Sequence, residues 1–102
     1  MYKLDYLPIA TQDMVNIMKY ISHELCNPAA AELLMHEMLE SADNLKFSPY
    51  SNAIYQNIRP LKQEFRKLIV KNYIMFYWID ETEKQITIAR VLYSRRDYEK
   101  LL

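Results

Sequence analysis

The chain has 102 residues, 51% of them hydrophobic, with 13 basic and 13 acidic side chains, which gives room for one domain with its own core and excludes a disordered composition. Glycine is absent, and this excludes a Walker loop and a dinucleotide fingerprint, because both need backbone that approaches phosphate closely. The zero net charge is split: residues 1–51 hold three basic and seven acidic groups, net −4, and residues 52–102 hold ten and six, net +4. Such a molecule either turns a basic face toward an anionic partner or carries two unlike solvated faces.

Residues 2–7 read as a short strand, since Tyr2, Leu4 and Tyr6 alternate with Lys3 and Asp5 and Pro8 stops the run. Thr11 then offers an N-cap hydroxyl, with Asp13 in the first turn of a helix. Met14, Ile17, Met18, Ile21 and Leu25 follow at spacings of three and four, the mark of one buried stripe. Asn27 caps a second helix with Pro28 at its first position, and Ala31, Leu34, Met35, Met38, Ala42 and Leu45 form its apolar stripe. Two helices joined by about two residues fold back on each other as an αα-hairpin. Residues 46–60 lack any period and read as loop, with a short extended piece near 54–58.

Three strands are expected next. Residues 65–70 form the first, Lys71 and Asn72 a two-residue turn, and residues 73–79 a strand so apolar that both its faces must be covered. After a polar turn at 80–84, residues 85–93 make the last strand, with Ile86, Ile88, Arg90 and Leu92 expected on one face. Residues 94–102 read as a short helix or tail. The order is strand, two helices and a three-stranded antiparallel meander, an α+β domain spanning residues 1–102 with the first strand at the sheet edge. No apolar run reaches the roughly 18 residues that span a bilayer. The opening residues lack a basic region followed by an apolar core, and the single Cys26 cannot form an internal disulfide. These features suit a bacterial cytosol with no membrane partner.

Along almost its full length the chain resembles the RelE/ParE toxin superfamily. The resemblance rests on this order of elements with its long helical hairpin. It also rests on residues 65–80, where Phe65, Arg66 and Lys67 lead into Tyr73, Phe76, Tyr77 and Trp78, and on residues 88–97, where Arg90, Tyr93, Arg95, Arg96 and Asp97 form an arginine-rich end. Ile74 follows Tyr73 where many RelE nucleases carry an arginine, so the pattern is more similar to ParE. The resemblance implies the toxin of a type II toxin–antitoxin (plasmid stabilisation) module. Its partner is a cognate antitoxin in a hetero-oligomer, and it uses no metal and no cofactor. It implies inhibition of DNA gyrase by binding or, alternatively, ribosome-dependent cleavage of mRNA.

Such a nuclease holds the scissile phosphate with positive side chains, for which guanidinium groups with paired donors are apt. The candidates for binding target or RNA are Lys62, Arg66, Lys67, Arg90, Tyr93, Arg95, Arg96 and Tyr98, with Arg66, Arg90, Tyr93 and Arg95 as the catalytic set of a nuclease. Arg66 and Arg90 are expected on one face of the sheet, where neighbouring strands bring matched positions within about 5 Å. The alternative reading makes Arg66 and Lys67 solvated strand flanks and pairs Arg90 with an acid on the helices. His23 and His36 read as surface or interface residues, Cys26 as a packing residue, Tyr73 and Tyr77 as core. The helix methionines Met14, Met18, Met35 and Met38 should mostly cover the sheet, and any part left exposed would suit an antitoxin helix.

Overall fold

The structure is a computed structural model and describes residues 1–56, 63–96 and 100–102. Strand β1 (Lys3–Tyr6) leads into helix α1 (Pro8–Lys19), a π-helical turn (Tyr20–Glu24) and helix α2 (Pro28–Asn44), followed by β2 (Arg66–Val70), β3 (Tyr73–Asp80) and β4 (Gln85–Tyr93). The sheet runs β1-β4-β3-β2, with β2, β3 and β4 an antiparallel meander. β1 lies at the edge, parallel to β4. Of the short extended piece expected near 54–58, residues 57 and 58 lie outside the described residues, and Ile54 forms an isolated antiparallel bridge with Arg66. Among the described residues no helix is long and apolar enough to cross a membrane.

α1 starts three residues before Thr11, at Pro8, so Asp13 lies inside the helix and not in its first turn. Proline needs no N–H partner at a helix start and its fixed φ is already helical. Pro8 therefore opens the helix as directly as it closes the strand. The Leu7 carbonyl accepts from the Ala10 and Thr11 amides at 2.9 and 3.1 Å in place of a side-chain cap. Beyond Lys19 the helix widens: the Leu25 amide reaches back five residues to the Tyr20 carbonyl at 3.1 Å. The chain then reverses through Cys26, whose φ is 51°. Cys26 is exposed and does not pack into the core. α2 begins as its sequence indicates, with the Asn27 side chain accepting from the Ala30 amide at 3.2 Å.

The helical hairpin covers one face of the sheet, and Ala10, Met14, Leu34, Met38, Met75, Tyr77, Ile86, Ile88 and Val91 make the main core there. The helix methionines divide, since Met14 and Met38 are buried, Met35 is partly buried and Met18 is exposed. A second, smaller core of Phe65, Ile74, Phe76, Ala89 and Leu92 lies on the other face, with Leu7, Tyr55, Trp78, Leu101 and Leu102 packed against it. Four consecutive residues of β3, 74–77, are buried because both faces of that strand are covered.

One irregularity decides where the β4 side chains point. Phe76 pairs with Arg90 but Tyr77 pairs with Ile88, so Ala89 and Arg90 together oppose one partner as a β-bulge. Beyond it the alternation is displaced by one residue. Ile86 and Ile88 face the helices, but so does Val91, and Leu92 sits in the second core. The expectation of Ile86, Ile88, Arg90 and Leu92 on one face fails for that reason.

Glu81 ties three distant segments together. Its carboxylate accepts from the Tyr2 hydroxyl at 2.8 and 2.9 Å, from the Tyr50 hydroxyl at 2.8 Å, and from the Lys84 ammonium. Lys84, Tyr50 and Tyr2, in that order of effect, hold the carboxyl at about 2, well below its ordinary 4.5, and the same contact pushes the Tyr50 phenol up to about 12. A carboxyl whose folded value lies below its unfolded one adds stability above pH 4.5 and loses it as pH falls toward 2. Thermal melts across that window should therefore fall more steeply for the wild type than for Glu81→Gln. Parallel curves would show that the three contacts add nothing.

Candidate functional site

A groove opens where the end of the helical hairpin overhangs the β2–β3 turn and the end of β4, enclosing about 990 Å³. Its helical wall carries Ile17, Tyr20, Ile21 and Leu25 from α1 and the π-turn, and Leu33 and Leu34 from α2; its sheet wall carries Tyr73, Val91, Leu92 and Tyr93. Tyr20, Leu25 and Leu33 are 53%, 56% and 57% exposed, an apolar rim that the described residues leave uncovered. The Tyr73 and Tyr93 rings meet edge to face at 5.7 Å. Burial, with Tyr93 and then Tyr20 nearby, pushes the Tyr73 phenol up. The groove's polar fringe holds Asp13, Asn16, Asn27, Glu37, Lys71, Asn72 and Arg96.

Local backbone builds this mouth. A regular helix would continue past Lys19 at the same pitch, whereas the π-turn carries Tyr20, Ile21 and Leu25 around toward the groove. Lys71 turns the chain from β2 to β3 with φ 55°, and its ammonium lies 3.7 Å from Glu37 across the opening. With no glycine in the chain, Cys26 and Lys71 take left-handed backbone despite their Cβ, a cost of roughly 1–2 kcal/mol each. Strain of this kind gathers where the geometry is needed.

The sequence-derived site residues are only partly brought together. Tyr93 and Arg96 line the groove, and Arg95 beside them is exposed. Arg66 and Arg90 do not share a face: on β3, Arg66 pairs with Tyr77 and Arg90 with the residue before it, Phe76. Adjacent strand residues point to opposite sides, and the β4 bulge is what separates the two arginines. Lys67 lies across from Phe76 and is half-buried. Lys62 and Tyr98 lie outside the described residues.

Both sheet arginines are engaged within the fold. Arg66 donates through Nη1 to the Asn52 carbonyl at 2.7 Å and the Tyr50 carbonyl at 3.4 Å, and it lies over the Tyr50 ring at 5.0 Å, so its side chain is only 15% exposed. Arg90 donates through Nε and Nη2 to the two oxygens of Asp13, at 2.8 and 3.0 Å, with both side chains largely buried. Asp13 holds the guanidinium in its charged form. The same carboxylate accepts from the Val91 amide at 2.9 Å, on the β4 edge beyond the reach of β1. His23 is exposed, as is His36, which lies 3.0 Å from Glu40.

Of the groove's exposed apolar members, Tyr20 and Leu33 escaped the sequence reading, and Leu25, expected on a buried stripe, is 56% exposed. Leu33 and Tyr20 were the available signals, since each is a large apolar or aromatic residue off the buried stripe of its helix.

A family model described as ParE toxin of type II toxin–antitoxin system, parDE, matches residues 4–98. Among solved structures, the chain is similar to one described as the chromosomal ParDE TA system from P. aeruginosa, with 19% identity, 91% of this chain and 96% of that chain covered, and a TM-score of 0.72. It is also similar to the archaeal RelE–RelB complex from Pyrococcus horikoshii OT3, with 13% identity, 93% and 97% covered, and a TM-score of 0.63. The toxin–antitoxin complex RelBE2 from Mycobacterium tuberculosis matches at 19% identity, 90% and 96% covered, with a TM-score of 0.59. Among curated proteins none matches. Identities this low speak for the fold alone.

Proposed function

Because this chain belongs to the ParE toxins of type II toxin–antitoxin systems, we propose that it inhibits DNA gyrase by binding it in the cytoplasm, and that a cognate antitoxin silences it by covering the tyrosine-lined groove. The observation that carries the binding reading is the commitment of the sheet arginines. A phosphate clamp needs guanidinium donors free and convergent. Here Arg90 spends its bidentate edge on Asp13, Arg66 spends donors on loop carbonyls, and the two start from opposite faces. Where a RelE-like nuclease carries an arginine after the tyrosine, this chain has Ile74, 5% exposed in the second core.

What the molecule does offer is an apolar, aromatic groove with Lys71 and Arg96 on its fringe. Aromatic and arginine side chains are the usual anchors of protein interfaces. A partly disordered antitoxin segment with an apolar stripe and acidic flanks fits this surface. The test is a supercoiling assay with purified gyrase and micromolar toxin: supercoiling should stop, and should resume when antitoxin is added. Unaffected gyrase, together with codon-linked cuts on translated mRNA that disappear in Arg66→Ala or Arg90→Ala, would establish the nuclease reading instead.

A further inference from the structure

Asp13 stands at the junction of two regions. Asp13 is among the residues that line the groove on its helical wall. Its carboxylate grips Arg90, and the remaining edge of that guanidinium, Nη1, donates to the Leu101 carbonyl at 3.2 Å. Leu101 and Leu102 in turn pack against the second core, on the face of the sheet away from the helices. A guanidinium presents its donors in one rigid plane, so fixing two of them on Asp13 also aims the third at Leu101.

We propose that Asp13 acts as a latch: by holding Arg90 in plane it seats Leu101 and Leu102 on the far face, and so couples occupancy of the groove to exposure of the second core. Leu101 and Leu102 are only partly buried, so their apolar contact is shallow and the Arg90 hydrogen bond adds to their hold. A groove occupant that brings its own guanidinium or ammonium group to Asp13 competes with Arg90 and releases the pair of leucines. An occupant without such a group leaves them seated. The coupling is reciprocal, as any linkage of two equilibria must be. It does not depend on which target the toxin engages.

Trp78 is the chain's single tryptophan and, like these leucines, packs against the second core, so its emission reports on exposure of that core. In Asp13→Asn, acrylamide quenching of Trp78 should rise about twofold as the local opening grows. The double variant Leu101→Ser/Leu102→Ser should show the same rise, and adding Asp13→Asn to it should add nothing further. An Asp13→Asn protein quenched like wild type, or an effect undiminished in the double-serine background, would overturn the latch. Should Asp13→Asn fail to fold by circular dichroism, the double-serine protein decides from the other side. Its Val91 amide, which donates to Asp13, should exchange with solvent several-fold faster than in the wild type, and an unchanged rate would refute the coupling.

Discussion

Asp13→Ala should cost about 3 kcal/mol of folding stability, because it removes one partner of a largely buried ion pair and leaves the other charge behind. The loss exceeds that of an exposed ion pair for two reasons. Arg90 keeps its charge but loses both oxygens that replaced its water, and the Val91 amide loses its acceptor as well. In a chain of this length the melting temperature should drop by roughly 12–20 °C. Asp13→Ala/Arg90→Met should recover much of the loss, since an apolar side chain of similar reach leaves no uncompensated charge. Urea titrations of the two single variants and the double variant measure this. Strictly additive losses would mean that the pair is not coupled.

Leu33→Asp should weaken antitoxin binding by at least about 100-fold, or ~2.7 kcal/mol, while leaving the fold intact. Leu33 stands 57% exposed on the groove rim, so the free toxin loses little by its replacement. In a complex that covers the groove, the substitution both removes an apolar contact and buries a carboxylate in a groove walled by Tyr20, Leu25 and Tyr93. Calorimetry with the antitoxin, beside thermal melts of the free toxin, separates the two effects. Wild-type affinity in Leu33→Asp would take the antitoxin off this groove.

Local signals were sufficient for much of the fold. β4 runs over the same residues, Gln85–Tyr93, that alternation marks, and α2 starts at the Asn27–Pro28 cap because cap chemistry involves neighbours only. The errors fall where one local signal serves two outcomes or where the cause is distant. Pro8 both ends a strand and opens a helix, and only the ladder to Ile88 decides between them. The bulge at Ala89 and Arg90 leaves no mark in a run that alternates well, yet it turns Arg90 away from the face of Arg66. A pairing of Arg90 with an acid on the helices was open to the sequence. Choosing Asp13 among the helix acids requires the fold, because 77 residues separate the two partners. The groove was invisible for the same reason: its walls come from the two ends of the chain order and meet only after the hairpin docks on the sheet.

A polypeptide with a Cβ on every unit wanders through less torsional space when unravelled, so this one surrenders less disorder on folding than a glycine-bearing chain of equal length. Among the described residues the debt appears instead at three sharp corners, Cys26, Lys71 and Lys84, where that Cβ collides with its own backbone. Introducing glycine should therefore change sign with address, tightening the protein at those corners and loosening it in the middle of any helix or strand.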